Sequence, residues 1–182
     1  MKRAIISSAI LSVLSFGAMA DTPSFDFVEI GYTQLSIDGT SIEPDGFEFR
    51  GSSEINDSWY IAGDYSDISD GGASVSLTTA GVGFKNDFSD TSSFFAEIDF
   101  ARFDTNGGGS DSGYEMTFGV RSNITEKLEL KGAIEYLDIN DDDTTYLVLG
   151  AAYNFTDRLA VYSDYKNESD SDRFSVGVRF RF

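Results

Sequence analysis

The last ten residues, Arg173-Phe174-Ser175-Val176-Gly177-Val178-Arg179-Phe180-Arg181-Phe182, alternate strictly between two kinds of side chain. One set is apolar throughout, and the other contains three arginines, one serine and one glycine. Successive side chains of a β-strand point to opposite faces of a sheet. This alternation therefore predicts a terminal strand with one apolar face and one polar face.

Upstream of this strand, four segments share a short motif: a large apolar residue, then Asn, Ser or Thr, then an acidic residue. The copies are Ile55-Asn56-Asp57, Phe88-Ser89-Asp90, Ile124-Thr125-Glu126 and Phe155-Thr156-Asp157. Short polar side chains hydrogen-bond their own backbone and favour chain reversal, so each copy predicts a tight turn between two strands. With a first strand near residues 25–37 and the terminal strand, four such turns predict ten strands. Eight strands is the alternative.

Five acidic connections containing Gly, Asp, Ser or Thr would join the strands at the opposite end, at residues 38–45, 70–74, 105–112, 140–144 and 167–172. Pro23 precedes the first strand and Pro44 lies in the first connection, as expected because proline cannot donate a hydrogen bond to a strand ladder. The first strand has an ambiguous register. Its Phe25 and Phe27 have the opposite parity to three other large side chains, Val28, Ile30 and Tyr32.

The polar face of the predicted strands is charged almost throughout. It carries nine acids and seven bases, namely Glu48, Arg50, Glu54, Asp64, Glu97, Asp99, Glu115, Arg121, Glu129, Lys131, Glu135, Asp164, Lys166, Arg173, Arg179 and Arg181. On the apolar face, aromatic residues are concentrated toward the strand ends, with aliphatic or small residues between them, which is typical of a lipid-facing barrel exterior. The sequence therefore predicts an all-β fold, a closed antiparallel transmembrane β-barrel with its charged face inward. A soluble lipocalin-like binder in the periplasm, with the apolar face inward, is the alternative.

Residues 1–20 have the pattern of a secretory signal peptide. Lys2 and Arg3 precede an apolar stretch, and Ala18-Met19-Ala20 provides the small residues that signal peptidase requires before Asp21. The stretch is too short for a spanning helix, which needs about 20 apolar residues. We expect cleavage after Ala20, which leaves residues 21–182 as a single barrel domain.

The signal peptide, the terminal strand and the short turns Asn56-Asp57-Ser58, Thr125-Glu126-Lys127 and Thr156-Asp157-Arg158 resemble the porin-like family of small bacterial outer-membrane β-barrels. That family includes OmpX-like and OmpA-type barrels. The resemblance implies a Gram-negative outer-membrane location, termini and turns on the periplasmic side, and contact with membrane lipid and lipopolysaccharide. It also implies that the barrel-assembly machinery recognises the terminal strand through Phe174, Val176, Val178, Phe180 and Phe182.

Composition excludes several function classes. With no His and no Cys, the chain has neither a Ser-His-Asp nor a Cys-His catalytic unit, and no imidazole or thiolate metal site. Its 13 basic against 31 acidic residues argue against nucleic acid, which is bound through clustered Lys and Arg. Carboxylate pairs such as Glu97 with Asp99, or Glu129 with Glu135, arise by chance in any charged barrel interior. We therefore predict no enzyme and no cofactor.

The acidic connections suggest either a calcium site or a solvated rim. Asp141-Asp142-Asp143 and the pair Asp170 and Asp172 supply the clustered carboxylates that hard cations prefer. The spacing of an EF-hand loop is absent, however, so we favour a solvated acidic rim and predict no dedicated metal site.

The near balance of inward charges predicts a plugged or barely conducting lumen, because unpaired buried charges are costly and a ten-stranded barrel is narrow. The candidate lumen residues are Glu97, Asp99, Glu115, Arg121, Glu129, Lys131 and Arg179. We predict a structural envelope protein or a narrow porin-like channel for small ions or solutes. Adhesion through the outer loops is the alternative, although such short connections offer little contact surface.

Overall fold

The computed structural model describes residues 21–140 and 142–182, which form ten antiparallel strands. The strands are β1 (Phe27–Ile37), β2 (Asp45–Glu54), β3 (Trp59–Asp70), β4 (Ala73–Ser89), β5 (Ser92–Thr105), β6 (Ser110–Asn123), β7 (Leu128–Ile139), β8 (Asp142–Asn154), β9 (Leu159–Asn167) and β10 (Ser171–Arg181). The predicted signal peptide, residues 1–20, lies outside the described residues, as does Asp141.

The sheet closes on itself because β1 pairs with both β2 and β10. The β1–β10 ladder runs in register from Phe27 opposite Arg181 to Ile37 opposite Ser171, and the β1–β2 ladder begins with Phe27 opposite Ser52. Every strand therefore has two hydrogen-bonded neighbours, and the sheet is a closed barrel. The predicted count of ten is confirmed, and the alternative of eight strands is wrong.

Three of the four predicted turns share one backbone geometry. The amide N–H of Ile55 donates to the carbonyl oxygen of Trp59 at 2.7 Å, and the pairs Ile124–Leu128 and Phe155–Leu159 repeat this bond at 2.8 and 2.9 Å. The polar residue of each motif closes the turn. The Asn56 Oδ1 accepts the Trp59 N–H at 3.0 Å, and the threonine hydroxyls of the other two copies act alike, at Thr125 and Thr156.

The second copy of the motif forms a different turn. Ser89 is still part of β4, so only residues 90–91 connect the two strands. The ladder register shifts between Asp87 and Ser89. The turn is confirmed, but here the local hydrogen bond is from the Thr91 N–H to the Ser89 hydroxyl at 3.3 Å.

The opposite connections are shorter than predicted. They comprise residues 38–44, 71–72, 106–109, 140–141 and 168–170, because the flanking Ser, Thr and Asp residues continue the strand ladders. Backbone pairing does not depend on side-chain polarity, so composition overestimated these loops. The connection between β3 and β4 is only Gly71-Gly72, whose φ angles of 57° and 92° are easily adopted by glycine.

We call the end with the chain termini and the four turns the turn end, and the other the loop end. Large apolar side chains cover the outer surface, for example Ile61 at 51% and Phe118 at 60% exposure. Aromatic pairs mark both ends of this surface, such as Trp59 with Phe84 near the turn end and Tyr114 with Tyr136 near the loop end. The apolar face therefore points outward, and the lipocalin-like alternative is wrong.

The interior is narrow and fits large side chains against glycines. The ring of Tyr60 on β3 lies over Gly83 of β4, and Tyr162 of β9 lies against Gly31 and Gly177. A Cβ at any of these glycines would overlap the tyrosine. Alternation of small and large residues in this way fills a small barrel with side chains.

Candidate functional site: the charged lumen

The interior holds all sixteen charged residues that strand parity predicted to face inward. Examples among the buried ones are Asp99 at 2% and Arg121 at 3% exposure. Two further charged residues, Glu29 and Lys85, are buried there at 2% and 6% exposure and were missed. Glu29 lies on the strand with ambiguous register, and Lys85 precedes the irregular turn. Glu29 is two residues after Phe27, and Lys85 is two residues after Gly83. Each therefore shares the inward face of its neighbour, and this spacing is the sequence signal that could have placed both inside.

Glu129 of β7 is the most heavily paired acid in the lumen. Its carboxylate accepts bonds from Arg121 at 2.8 Å, Arg179 at 2.9 Å and Arg181 at 3.1 Å. These arginines lie on β6 and β10, and the two on β10 reach Glu129 across the interior. Glu129 is only 2% exposed, so one buried carboxylate is surrounded by three guanidinium groups.

Arg50 of β2 is the corresponding basic centre. It pairs with Glu29 at 2.9 Å, with Glu48 at 3.1 Å and with Asp164 of β9 at 2.5 Å. Arg179 also bonds Glu29, at 2.5 Å, so the Arg50 and Glu129 clusters form one continuous network. This network connects strands on opposite sides of the lumen and fills the space between them.

Two further contacts extend the network, and one separate ion pair lies beyond it. Lys131 donates to Asp164 at 2.8 Å, and the Tyr162 hydroxyl donates to Glu48 at 2.8 Å. Closer to the loop end, Lys166 pairs with Glu135 at 2.7 Å. The prediction of a largely salt-bridged interior agrees with this geometry.

The ambiguous register of β1 is resolved in favour of Val28, Ile30 and Tyr32 facing outward, with exposures of 37%, 58% and 46%. Phe25 and Phe27 therefore point into the lumen. Phe25 is 3% exposed. Phe25 and Phe27 lie on the same inward face as Glu29. They fit there because the lumen near the turn end contains a layer of aromatic side chains as well as charges.

Phe25 packs in the middle of that aromatic layer. Its ring centroid is 4.7 Å from that of Tyr60 and 5.8 Å from that of Phe95. The guanidinium carbon of Arg121 lies 4.4 Å from the Phe25 centroid, a cation–π geometry. The guanidinium carbon of Arg179 lies 4.7 Å from the Phe27 ring centroid in the same way.

The wall formed by β5 and β6 differs from the rest of the interior. Within residues 21–140 and 142–182, Glu97, Asp99 and Glu115 have no cationic group within salt-bridge distance. In the same part of the chain, both carboxylate oxygens of Asp99 and the Tyr60 hydroxyl are buried without a hydrogen-bond partner. Apart from Arg121 of β6 and Lys85 of β4, the ion-paired basic residues of the interior lie on the other side of the lumen.

An internal cavity of about 130 Å³ adjoins this wall. It begins at Phe25 and Tyr60, passes Glu97 and Glu115, and is bounded toward the loop end by residues that include Arg173. The barrel is thus filled at the turn end and contains open space further along.

The seven candidate lumen residues all face this interior, in two different environments. Arg121, Glu129, Lys131 and Arg179 belong to the ion-pair network, whereas the three acids of the β5–β6 wall do not. Of the two carboxylate pairs considered for catalysis, Glu97 with Asp99 lies outside the ion pairs of the described residues, whereas both members of Glu129 with Glu135 are ion-paired. Glu129 is held by arginines and Glu135 by Lys166.

The loop end shows no chelating geometry among the residues that are described. No group of three or more acidic side chains there is placed to hold a metal ion. Asp172 instead accepts hydrogen bonds from the Tyr165 hydroxyl and the Asn167 amide, both at 2.6 Å. Asp141, a member of the candidate calcium cluster, lies outside the described residues.

The residues of the predicted assembly signal all lie on the outer face of β10 or directly after it. Their exposures range from 38% to 62%, for Phe174, Val176, Val178, Phe180 and Phe182. The described part of the chain contains no helix long and apolar enough to cross a membrane.

Residues 6–155 match the family model of the outer membrane protein beta-barrel domain. Among solved structures, the KdgM porin aligns at 14% identity with a TM-score of 0.50, covering 85% of this chain and 99% of its own. The attachment invasion locus protein Ail of Yersinia pestis aligns at 16% identity and TM-score 0.42, covering 86% and 97%. Neisserial surface protein A aligns at 15% identity and TM-score 0.42, covering 86% and 95%.

A comparison with curated proteins gives no significant match. The family match nevertheless covers most of the chain, and it agrees with a closed barrel whose apolar face is outward and whose charged face is inward. The chain belongs to the outer membrane protein beta-barrel domain family and is a protein of the bacterial outer membrane.

Proposed function

We propose that this protein is a non-enzymatic envelope barrel whose lumen is closed at rest. The observation that carries the proposal is the ion-pair network that crosses the interior, from Arg50 and Glu29 through Arg179 to Glu129. Separating one partner from a buried ion pair costs free energy, because the remaining charge stays buried without a compensating charge. A lumen held by several such pairs is most stable in its closed form.

A catalytic role has little support in this interior. The carboxylates next to basic groups are held in ion pairs, and a general base must be available to accept a proton from a bound substrate. The sequence has no His or Cys to supply another nucleophile–base pair. The barrel is better suited to a structural role in the envelope.

The orientation and partners of the barrel follow as proposals. The turn end would face the periplasm, the apolar belt would contact membrane lipid and lipopolysaccharide, and the assembly machinery would recognise β10. Cleavage after Ala20 would make Asp21 the first residue. The Asp21 carbonyl oxygen accepts a hydrogen bond from the Asn123 amide at 2.6 Å, which holds this residue at the turn end.

The test is single-channel conductance of the refolded mature protein in a planar lipid bilayer. Unboiled migration on a denaturing gel, compared with a boiled sample, verifies that the protein used is folded. We expect no discrete current steps from inserted protein. Stable ohmic steps would contradict a lumen that is closed at rest.

A narrow channel is the second candidate, and the internal cavity beside Glu97 and Glu115 favours it. The fold is also similar to that of the KdgM porin, one structure of which contains disordered oligogalacturonate. That ligand is a polyanion, whereas the β5–β6 wall here carries acids outside any ion pair. If this lumen conducts, small cations are the more suitable solutes.

Adhesion through the loop end has less support than the sequence suggested. The five connections are two to seven residues long, so they expose little surface. A stable protein interface buries roughly 800 Å² per partner, which loops of this length would reach only by acting together.

A further inference from the structure

We propose that the segment Asp21–Asp26, which we call the plug, is a removable stopper, and that its withdrawal converts the closed barrel into a narrow pore for small cations. The inference rests on the closed lumen proposed above and names the part of the chain that completes the closure.

In cross-section the lumen divides into two halves that are filled in different ways. The ion-pair network occupies the side formed by β1, β2, β7, β9 and β10, with Arg121 of β6 at its border. The side formed by β3 to β5 contains Tyr60, Lys85 and Phe95. The ring of Phe25 fills the space between these three side chains. Ion pairs between the walls thus close one half, and a residue of the plug closes the other.

The plug is held by hydrogen bonds outside the strand ladders. Strand pairing begins at Phe27 on both sides of β1, so the plug takes part in no strand ladder. It is attached through the Phe25 N–H to Glu54 at 2.9 Å, the Asp26 carboxylate to the Glu54 N–H at 2.7 Å, and the Asp21 carbonyl oxygen to Asn123 at 2.6 Å. The plug can therefore leave the lumen without breaking any ladder bond of the barrel.

A cavity lies directly behind the plug. Phe25 forms one boundary of the cavity of about 130 Å³, so removing its ring connects that cavity to the turn end. The exposed path runs along Glu97 and Glu115, which are in no ion pair among the described residues, and along six basic residues. Within the same part of the chain, all of these bases but Arg173 are paired with acids, so the two carboxylates outnumber the unpaired base. Carboxylates that no base compensates favour cations over anions in a narrow pore.

The experiment compares four refolded mature proteins in planar bilayers under a potassium chloride gradient. They are the wild type, a chain that begins at Phe27, the variant Phe25→Ala, and the control variant Phe88→Ala. Phe88 is 46% exposed near the turn end, so the control removes an identical ring from the outer surface. Gel migration before and after boiling shows which proteins are folded.

We expect no steps from the wild type and from Phe88→Ala, stable steps from the chain that begins at Phe27, and smaller or briefer steps from Phe25→Ala. The reversal potential of the conducting proteins should show a preference for potassium over chloride. Adding Glu97→Gln and Glu115→Gln to the shortened chain should reduce that preference while leaving the steps.

The outcomes separate the two proposals. Steps from the wild type would overturn the closed lumen. If neither the wild type nor the folded chain that begins at Phe27 conducts, the plug is overturned and the closed lumen is retained. Current steps from Phe88→Ala would also overturn the plug. A preference for chloride would overturn the cation pore. If the shortened chain does not fold, the result for Phe25→Ala decides whether the plug closes the lumen, because this variant retains the three hydrogen bonds that hold the plug. Absence of current steps from folded Phe25→Ala would then overturn the plug.

Discussion

At the scale of single residues, Glu129 shows how this interior stays folded despite its charge. Three arginines surround one carboxylate that is 2% exposed. Each guanidinium would be costly to bury alone, and Glu129 is the shared partner of all three, with Glu29 as a second partner of Arg179. Glu129 is also where two walls meet, since Arg121 lies beside it on β6 and Arg179 reaches it from β10.

Replacing Glu129 with Gln should destabilise the folded barrel by about 3–5 kcal/mol, because the three arginines keep their charge and lose their shared partner, which leaves only Arg179 with another acid, Glu29. The measurement is the free energy of unfolding from urea titration of the protein refolded in lipid. Glu126→Gln is the matched control, since Glu126 is exposed in the turn that precedes β7 and should change stability by less than about 0.5 kcal/mol. Equal effects of the two variants would show that the Glu129 pairs contribute no net stability.

At the scale of elements, β10 combines two roles on its two faces. Its inward face supplies Arg179 and Arg181 to the network, while its outward face carries five apolar side chains that touch nothing in the lumen. The inward face explains why β10 stabilises the barrel. The outward row, ending in Phe182 at 62% exposure, is left for contact with lipid or with an assembly factor.

Phe182→Ala, or deletion of Phe182, should lower the amount of protein recovered in the outer membrane, because the proposed recognition of β10 depends on its terminal aromatic residue. The readout is the quantity of folded protein in the outer-membrane fraction of cells expressing each variant. Phe155→Ala is the control, since Phe155 is 60% exposed at the same end of the barrel but lies in a turn. Recovery of Phe182→Ala equal to that of the control and the wild type would remove the assembly role of this residue.

At the scale of the whole molecule, closure determines the stability of the barrel. Each strand is paired on both sides, so no edge strand exposes unpaired backbone groups among the described residues. In hydrocarbon every backbone polar group needs an internal partner, and a closed barrel provides one. Detergent alone is therefore not expected to open the sheet.

The folded protein should migrate differently on a denaturing gel before and after boiling, since only heat separates the closed ladder into an extended chain. Ile30→Pro is the informative variant, because proline at a central ladder position of β1 removes a donor and disrupts the junction between β10 and β2. That variant should lose the band of the unboiled sample. Identical migration of wild type with and without boiling would be inconsistent with a closed barrel.

The sequence by itself determined the ten strands, the four turns and the two faces, because these features are local. Side-chain direction alternates with every residue, so parity alone assigns Phe180 to the outside and Arg179 to the inside. The turn motifs act within four residues, as the Asn56 bond to Trp59 shows. No partner from elsewhere in the chain is needed for either property.

Only the tertiary structure decided which charges meet and what fills the rest of the lumen. Arg179 lies 50 residues from Glu129 in sequence, and nothing in the strand pattern pairs them. Phe25 looked ambiguous because its place inside depends on a layer made by Tyr60 and Phe95 of other strands. Barrel closure brings these side chains together, so contacts across the lumen follow from the curvature of the sheet rather than from local sequence.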